Sequence, residues 1–197
     1  MRPSYLNNLL SMIQYNFPTV LFYGADSVKD LSLAILQKGL KYLLLVTDPG
    51  LVKIGLADSV KNTLTSSGLN IDVFDGVHPN PIEEDVTNGV EVYRSEKFDG
   101  IIALGGGRAM DVAKTIRFMV VHDPPLAQYD DTIGGDAKII NPMPPLYAIP
   151  TTAGTGSEVG RSSVITLKES GRKTIFFHHG LMPDIAVLDP NLTVGLP

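Results

Sequence analysis

The 197-residue sequence contains no cysteine, which excludes disulfides, thiolate metal ligands and thiol nucleophiles and is typical of a reducing compartment. It has no apolar run near the roughly 20 residues that a membrane-spanning helix needs. Its amino-terminal residues lack the apolar core and cleavage site of a secretory signal. The net charge of -5 also differs from the basic character of nucleic-acid-binding proteins. We therefore expect a cytoplasmic globular protein that binds neither nucleic acid nor a membrane.

Short apolar runs alternate with helical periods along the chain. Ser27 is predicted to cap a helix, and further helices are predicted over 56–66, 82–96 and 108–121. Strands are predicted over 20–23, 42–47, 71–74, 100–104, 146–149 and 185–188. The runs 42–47 and 100–104 have no polar alternation, which is typical of strands buried on both faces of a parallel sheet. This order predicts an α/β fold with a parallel sheet flanked by helices. Strands over 163–166 and 174–177 add a small β-hairpin, and no linker divides residues 1–197, so we expect one domain.

The segments between these elements are predicted as turns and loops. Residues 48–50 (DPG) are predicted as a turn, and residues 122–145, rich in proline and glycine, as a long loop over the edge of the sheet.

The strongest chemical signal is the segment 100–116, GIIALGGGRAMDVAKTI. An apolar strand leads directly into Gly105, Gly106 and Gly107, and a helix begins after them. Glycines let the backbone approach a ligand closely, and a helix start offers unpaired N–H groups with a partial positive charge. The combination predicts a cradle for a phosphate or pyrophosphate. It matches neither GxGxxG nor the P-loop pattern, so a tight turn that needs glycine only for packing stays an alternative.

Two other segments have the composition of ligand contacts. Asp48 follows the strand 42–47, where a carboxylate can accept hydrogen bonds from ribose hydroxyls and repel a 2′-phosphate, although Asp also commonly precedes a proline turn. The segment 150–159, PTTAGTGSEV, offers hydroxyls for polar recognition, although a flexible loop explains the same composition. The four histidines lack the spacing of a helical metal pair, so we expect no metal site made within this chain.

Three segments, GGGRAMDVAK, PTTAGTGSEV and PDIAVLDPNLTVGLP, resemble the iron-containing (group III) alcohol dehydrogenases in order and separation, and DGVHPNP and Asp48 also match. The resemblance extends from about Phe17 to Pro197. It implies an oxidoreductase that moves a hydride between NAD(P) and an alcohol or aldehyde. It also implies a Rossmann-like amino-terminal domain for the dinucleotide and a helical carboxy-terminal domain, whose one Asp and three His hold Fe²⁺ or Zn²⁺. We expect this chain to be the nucleotide-binding half alone, without the metal ligands and inactive by itself.

The resemblance also implies dinucleotide contacts at particular positions. They are Asp48, Asn80, Gly105, Gly106, Gly107, Arg108, Asp111, Thr151, Thr152, Ser162 and Lys173. Asp48 corresponds to the contact with the adenosine ribose and favours NAD, with NADP as the alternative cofactor. The glycines correspond to the pyrophosphate loop, with Asp111 and Lys114 completing GGGxxxDxAK. Thr151 and Thr152 correspond to contacts near the pyrophosphate and the nicotinamide side, and Ser162 and Lys173 correspond to further contacts towards the nicotinamide ribose.

One position departs from the pattern of the family. The family usually has Ser after the three glycines, and Arg108 stands there in this sequence. A guanidinium can donate to phosphate with a full positive charge. We therefore predict that Arg108 faces the phosphates and strengthens dinucleotide binding.

Two other functions stay open from the sequence. The absence of a metal ligand set motivates a dinucleotide-binding module without catalysis. Dehydroquinate synthase and glycerol-1-phosphate dehydrogenase share the implied architecture, although PTTAGTGSEV favours the alcohol dehydrogenase branch. The expected partners are a small alcohol or aldehyde, the helical domain, and other copies of the chain in a homo-oligomer.

Overall fold

The computed structural model describes residues 18–195 as a six-stranded parallel sheet with helices on both faces and a separate antiparallel hairpin. The strands are β1 (Val20–Tyr23), β2 (Tyr42–Val46), β3 (Asn70–Phe74), β4 (Gly100–Gly105), β5 (Leu146–Pro150), β6 (Ser162–Thr166), β7 (Lys173–Phe177) and β8 (Ile185–Leu188). The helices are α1 (Val28–Gln37), α2 (Pro49–Lys53), α3 (Leu56–Thr65), α4 (Glu83–Ser95) and α5 (Gly107–Met119). The order in the sheet is β1-β8-β5-β4-β2-β3, and β6 pairs with β7. The predicted α/β fold with a small hairpin is confirmed.

Apolar side chains on both faces of the sheet explain why the central strands read as uninterrupted hydrophobic runs. All six residues of β4 are buried. In β2, Leu44 and Val46 belong to the cluster that includes α4 and α5, whereas Leu43 and Leu45 belong to the cluster that includes α1 and α3. A strand covered on both faces has no solvent side, so no polar alternation is needed.

Two local predictions at helix starts differ from the structure. The segment predicted as a turn at 48–50 begins α2, with Asp48 as its N-cap: the Asp48 Oδ1 accepts hydrogen bonds from the amides of Gly50 (2.9 Å) and Leu51 (3.2 Å). Asp followed by Pro suits a helix start as well as a turn, because proline fits the first helical position. Ser27 precedes α1, but its own backbone is helical and its hydroxyl makes no capping hydrogen bond.

The segment 122–145 is a connection that contains three short 3₁₀ turns, at residues 126–129, 131–133 and 135–138. His122 fixes its two ends. The His122 Nδ1 lies 2.7 Å from the Phe118 carbonyl, and its Nε2 accepts from the amides of Ile140 (3.0 Å) and Asn141 (3.1 Å). No helix in the described part of the chain is long and apolar enough to cross a membrane.

A buried arginine on α5 joins the helix to the amino ends of β5 and β8. The Arg117 guanidinium donates to the carbonyls of Pro144 (2.7 Å), Gly180 (2.8 Å) and Met182 (2.7 Å) and to the Asp184 carboxylate (2.9 Å). The residue is 7% exposed. These contacts lie at the sheet edge opposite to the one where the glycines of segment 100–116 end β4.

Candidate functional site

Parallel pairing brings the predicted ligand segments to one edge of the sheet. Val46 at the end of β2 is in register with Phe74 of β3 and Ala103 of β4, and Gly105 of β4 is in register with Pro150 of β5. The chain therefore leaves these strands towards the same side. Asp48, the three glycines and Thr151 follow directly, at the edge where open α/β sheets bind ligands.

The glycine turn, residues 105–107, joins β4 to α5 and presents helix amides at this edge. Gly105 has φ +142, a conformation that other residues rarely adopt, and a Cβ there would lie 2.9 Å from the Ala109 Cβ. The amide of Met110 donates to the Gly106 carbonyl (3.2 Å) at the start of the helix. The amides of residues 107–109 precede this bond and have no partner within the helix, which makes a helix start a binding site for anions.

The chain after β5 closes over the glycine turn with hydroxyl side chains. The Thr151 amide donates to the Gly105 carbonyl (3.1 Å). A Cβ at Gly106 would lie 3.1 Å from the Thr152 Oγ1, and a Cβ at Gly107 would lie 3.3 Å from the Thr155 Cγ2 and 3.5 Å from the Ser157 Oγ. Packing therefore accounts for Gly105, while Gly106 and Gly107 leave a narrow space lined with hydroxyls.

Asp48 caps α2 and also lies beside the glycine turn. Its Oδ1 is engaged by the cap, while its Oδ2 would be 3.7 Å from a Cβ at Gly105. The cap of α2 and the ligand contact predicted from the sequence are therefore compatible with one side chain. A cleft of about 310 Å³ is lined by Leu51, whose amide the Asp48 carboxylate caps, and by Leu56, Thr151 and Leu192.

Three further predicted contacts, Asn80, Ser162 and Lys173, are divided between the two ends of the β6–β7 hairpin. Asn80 is exposed in the loop after β3, and the carbonyl of the next residue, Pro81, accepts from the Thr166 amide (2.8 Å). Thr166 is in register with Lys173, so the structure brings Asn80 and the exposed Lys173 to the same end of the hairpin. Ser162 begins the hairpin at its other end.

Two charged residues of α5 lie in different surroundings. Arg108 is exposed at the second position of the helix, directly after the glycines. Asp111, one turn later, is half-buried, and desolvation raises the pKa of its carboxyl to about 6, against the opposing effect of the Lys114 ammonium.

Sequence reasoning did not assign several residues that line this edge. Thr155 and Ser157 lie beside the Gly107 position, and Asn191 and Leu192 line the cleft. Two segments indicated ligand contacts in the sequence: residues 150–159 with their hydroxyls, and PDIAVLDPNLTVGLP. Neither pattern indicates which side chain lies beside the glycines.

The residues of this edge suit a dinucleotide better than they suit a metal ion. Open helix amides, a turn whose free space a Cβ would fill, and an adjacent cleft with apolar walls match a pyrophosphate joined to a nucleoside. Within residues 18–195, no group of three or more His, Cys, Asp or Glu side chains is placed to hold a metal ion.

Comparisons with known proteins agree with this geometry. The family model described as iron-containing alcohol dehydrogenase matches residues 18–190. A 4-hydroxybutyrate dehydrogenase of Cupriavidus necator is 43% identical over 159 residues, which cover 81% of this chain and 41% of that protein. A crystal structure of a 1,3-propanediol oxidoreductase matches with a TM-score of 0.87 and 37% identity, covering 95% of this chain and 48% of the other.

A third relative is described with a bound dinucleotide. The sulfoacetaldehyde reductase from Bifidobacterium kashiwanohense, in complex with NAD⁺, matches with a TM-score of 0.82 and 30% identity over 95% of this chain and 48% of its own. Fold and edge geometry define a Rossmann-like α/β domain with a glycine-rich strand–helix turn. The chain belongs to the iron-containing alcohol dehydrogenase family. It spans about half the length of the curated relatives it matches, for example 48% of the 1,3-propanediol dehydrogenase of Klebsiella pneumoniae.

Proposed function

We propose that this chain is the NAD-binding domain of a metal-dependent alcohol dehydrogenase that interconverts a small alcohol and its aldehyde. The observation that carries the proposal is the glycine turn at the start of α5, with Asp48 and Thr151 at the same sheet edge. In this proposal, residues 1–197 form one dinucleotide-binding domain. The Fe²⁺ or Zn²⁺ ligands belong to a helical domain, the protein acts in the cytoplasm, and it assembles as a homo-oligomer.

Each part of the edge has a role in this proposal. The amides of the glycine turn bind the pyrophosphate, and Thr151 and Thr152 add polar contacts beside it. The cleft by Leu56 and Leu192 takes the adenosine. Asn80, Ser162 and Lys173 contact the nicotinamide half, and Asp111 contacts the dinucleotide from α5, one turn after the glycines. The bound nicotinamide supplies the hydride acceptor, and the protein supplies orientation.

Direct titration of the chain tests this proposal. NADH fluorescence and isothermal titration calorimetry with NAD⁺ should both show saturable binding of one dinucleotide per chain, with NADP⁺ bound more weakly. The absence of saturable binding to either nucleotide would contradict the proposal, because the glycine turn would then serve packing alone.

Asp48→Asn should weaken the preference for NAD⁺ over NADP⁺. The asparagine oxygen can still accept from the Gly50 and Leu51 amides, so the cap of α2 is kept while the charge is removed. A charged acceptor contributes more to a hydrogen bond than a neutral one. We therefore expect the dissociation constant for NADP⁺ divided by that for NAD⁺ to fall roughly tenfold. Calorimetric titration with both nucleotides measures it. An unchanged ratio, with an unchanged melting temperature, would restrict Asp48 to its capping role.

Arg108→Ser should weaken NAD⁺ binding and make it less sensitive to salt. An exposed guanidinium at the helix start adds a charge-assisted contact with phosphate, whose removal we expect to cost roughly three- to tenfold in affinity. The dissociation constant at low and at physiological ionic strength provides the measurement. Arg108→Lys, which keeps the charge, is the matched control and should retain most of the salt dependence. Tighter or unchanged binding in Arg108→Ser would show that this side chain does not face the phosphates.

A further inference from the structure

The segment that covers the glycine turn is fixed at both ends to the same strand–helix unit. We call residues 152–158 the arch. Before it, the Thr151 amide donates to the Gly105 carbonyl (3.1 Å). After it, the Lys114 Nζ donates to the carbonyls of Gly160 (2.8 Å) and Ser162 (3.0 Å). Lys114 lies on α5, two turns after the glycines, so the unit that presents the helix amides also holds the arch.

Between these anchors the arch has few contacts of its own with the core. Residues 153–155 are exposed, and Gly154 and Gly156 have φ of +108 and +65. Their backbone is therefore unusually free to rearrange. The side chains that approach the glycine turn, Thr155 and Ser157, lie within this stretch. At its second end the chain is tied to α5 by the Lys114 Nζ, and to the residue after β7 by the hydrogen bond from the His178 amide to the Arg161 carbonyl (3.0 Å).

Lys114 is an unusual residue to use as an anchor, because its side chain is fully buried. Burial of an ammonium is costly unless hydrogen bonds and opposite charges compensate. Both compensations are present: two carbonyls accept from Nζ, and the carboxylates of Asp111 and Glu158 oppose the fall in its pKa caused by desolvation. A methionine would fill a similar volume without this cost, so the charged donor has a use that filling space does not explain.

We propose that Lys114 is a positioning residue that holds the arch closed over the glycine turn and so pre-organises the dinucleotide site. The identity of the ligand in this inference rests on the proposed function. The role of Lys114 in holding the arch does not depend on it. Pre-organisation increases affinity because the protein then spends less time in conformations that cannot bind. We expect Lys114→Met to reduce affinity for NAD⁺ about tenfold.

Amide hydrogen exchange on the chain without nucleotide tests the mechanical step. Lys114→Met should speed exchange at the hydrogen-bonded amides at the end of the arch, those of Ser157, Val159 and Gly160. Exchange in β4 and β5 should stay as in the wild type. Lys114→Arg, which keeps a cationic donor at this position, should restore much of the protection. Thr115→Val is the matched control, since it removes the Thr115–Ser163 contact (2.9 Å) between α5 and β6 without touching the two carbonyls.

The outcomes separate this inference from the proposed function. The inference is wrong if amides in the arch of Lys114→Met exchange as slowly as they do in the wild type. It is also wrong if exchange becomes faster over the whole sheet, as in an ordinary destabilised variant. Arch-specific loosening with unchanged NAD⁺ affinity would also overturn it, because the anchor would then not serve the site. If the wild-type chain binds no NAD⁺, the proposed function fails, and the exchange rates alone decide whether Lys114 closes the arch.

Discussion

Gly107→Val is expected to reduce NAD⁺ affinity by at least about 100-fold while leaving the chain folded, a loss of about 2.7 kcal/mol. A Cβ at this position already lies 3.3 Å from the Thr155 Cγ2 and 3.5 Å from the Ser157 Oγ, so two further methyl groups occupy the space in front of the helix amides. Gly107 starts α5 and, unlike Gly105, has no positive φ. The substitution therefore adds volume without straining the backbone. Calorimetric titration with NAD⁺ provides the measurement, with thermal melting as the test of folding.

Two glycine variants act as controls for this result. Gly107→Ala adds one methyl group and should lose roughly tenfold in affinity, because it fills less of the space in front of the helix amides than valine does. Gly105→Ala should instead lower the melting temperature, because its φ of +142 and the Ala109 Cβ at 2.9 Å both oppose a side chain. If Gly107→Val binds NAD⁺ like the wild type, the pyrophosphate is not held at this turn.

Arg117→Met is expected to cause the largest loss of stability, about 3–5 kcal/mol in the free energy of unfolding. The guanidinium donates to three carbonyls and one carboxylate, and the substitution leaves these acceptors without their donor at a site that is 7% exposed. A domain of this kind is stable by only roughly 5–15 kcal/mol, so such a loss is a large fraction of the total. Urea unfolding followed by circular dichroism measures it.

Arg94→Met is the matched control for the buried arginine. Its guanidinium also donates to two carbonyls, of Met119 (3.0 Å) and Val120 (3.1 Å), but the residue is exposed. Water can replace these contacts, so we expect a change below about 1 kcal/mol. If the two substitutions lower the free energy of unfolding equally, burial does not explain the contribution of Arg117 to stability.

The fold was predictable because its signals are local. The runs at β2 and β4 have no polar residue, and a strand covered on both faces produces that pattern whatever its partners are. A helix end has a local signal where one residue decides it: Gly39, with φ +78, follows the end of α1. The helix start at residues 48–50 was not predictable, because an Asp-Pro-Gly sequence begins either a turn or a helix.

The candidate site was predictable in its segments and not in its contacts. The glycine turn was predictable because the strand, the glycines and the helix are consecutive in the sequence. The anchor formed by Lys114 joins residues 46 and 48 positions apart, and the Arg117 contacts reach as far as 67 positions, so no local pattern contains them. Leu192 likewise reaches the cleft beside Thr151 only through the pairing of β8 with β5.

A crystal structure of the chain grown with NAD⁺ would show where the dinucleotide binds. We expect the pyrophosphate within hydrogen-bond distance of the amides at the start of α5, with the adenosine in the cleft between Leu56 and Leu192 and its ribose beside Asp48. A dinucleotide bound elsewhere, or a glycine turn filled by the Arg108 guanidinium in crystals saturated with NAD⁺, would contradict this expectation.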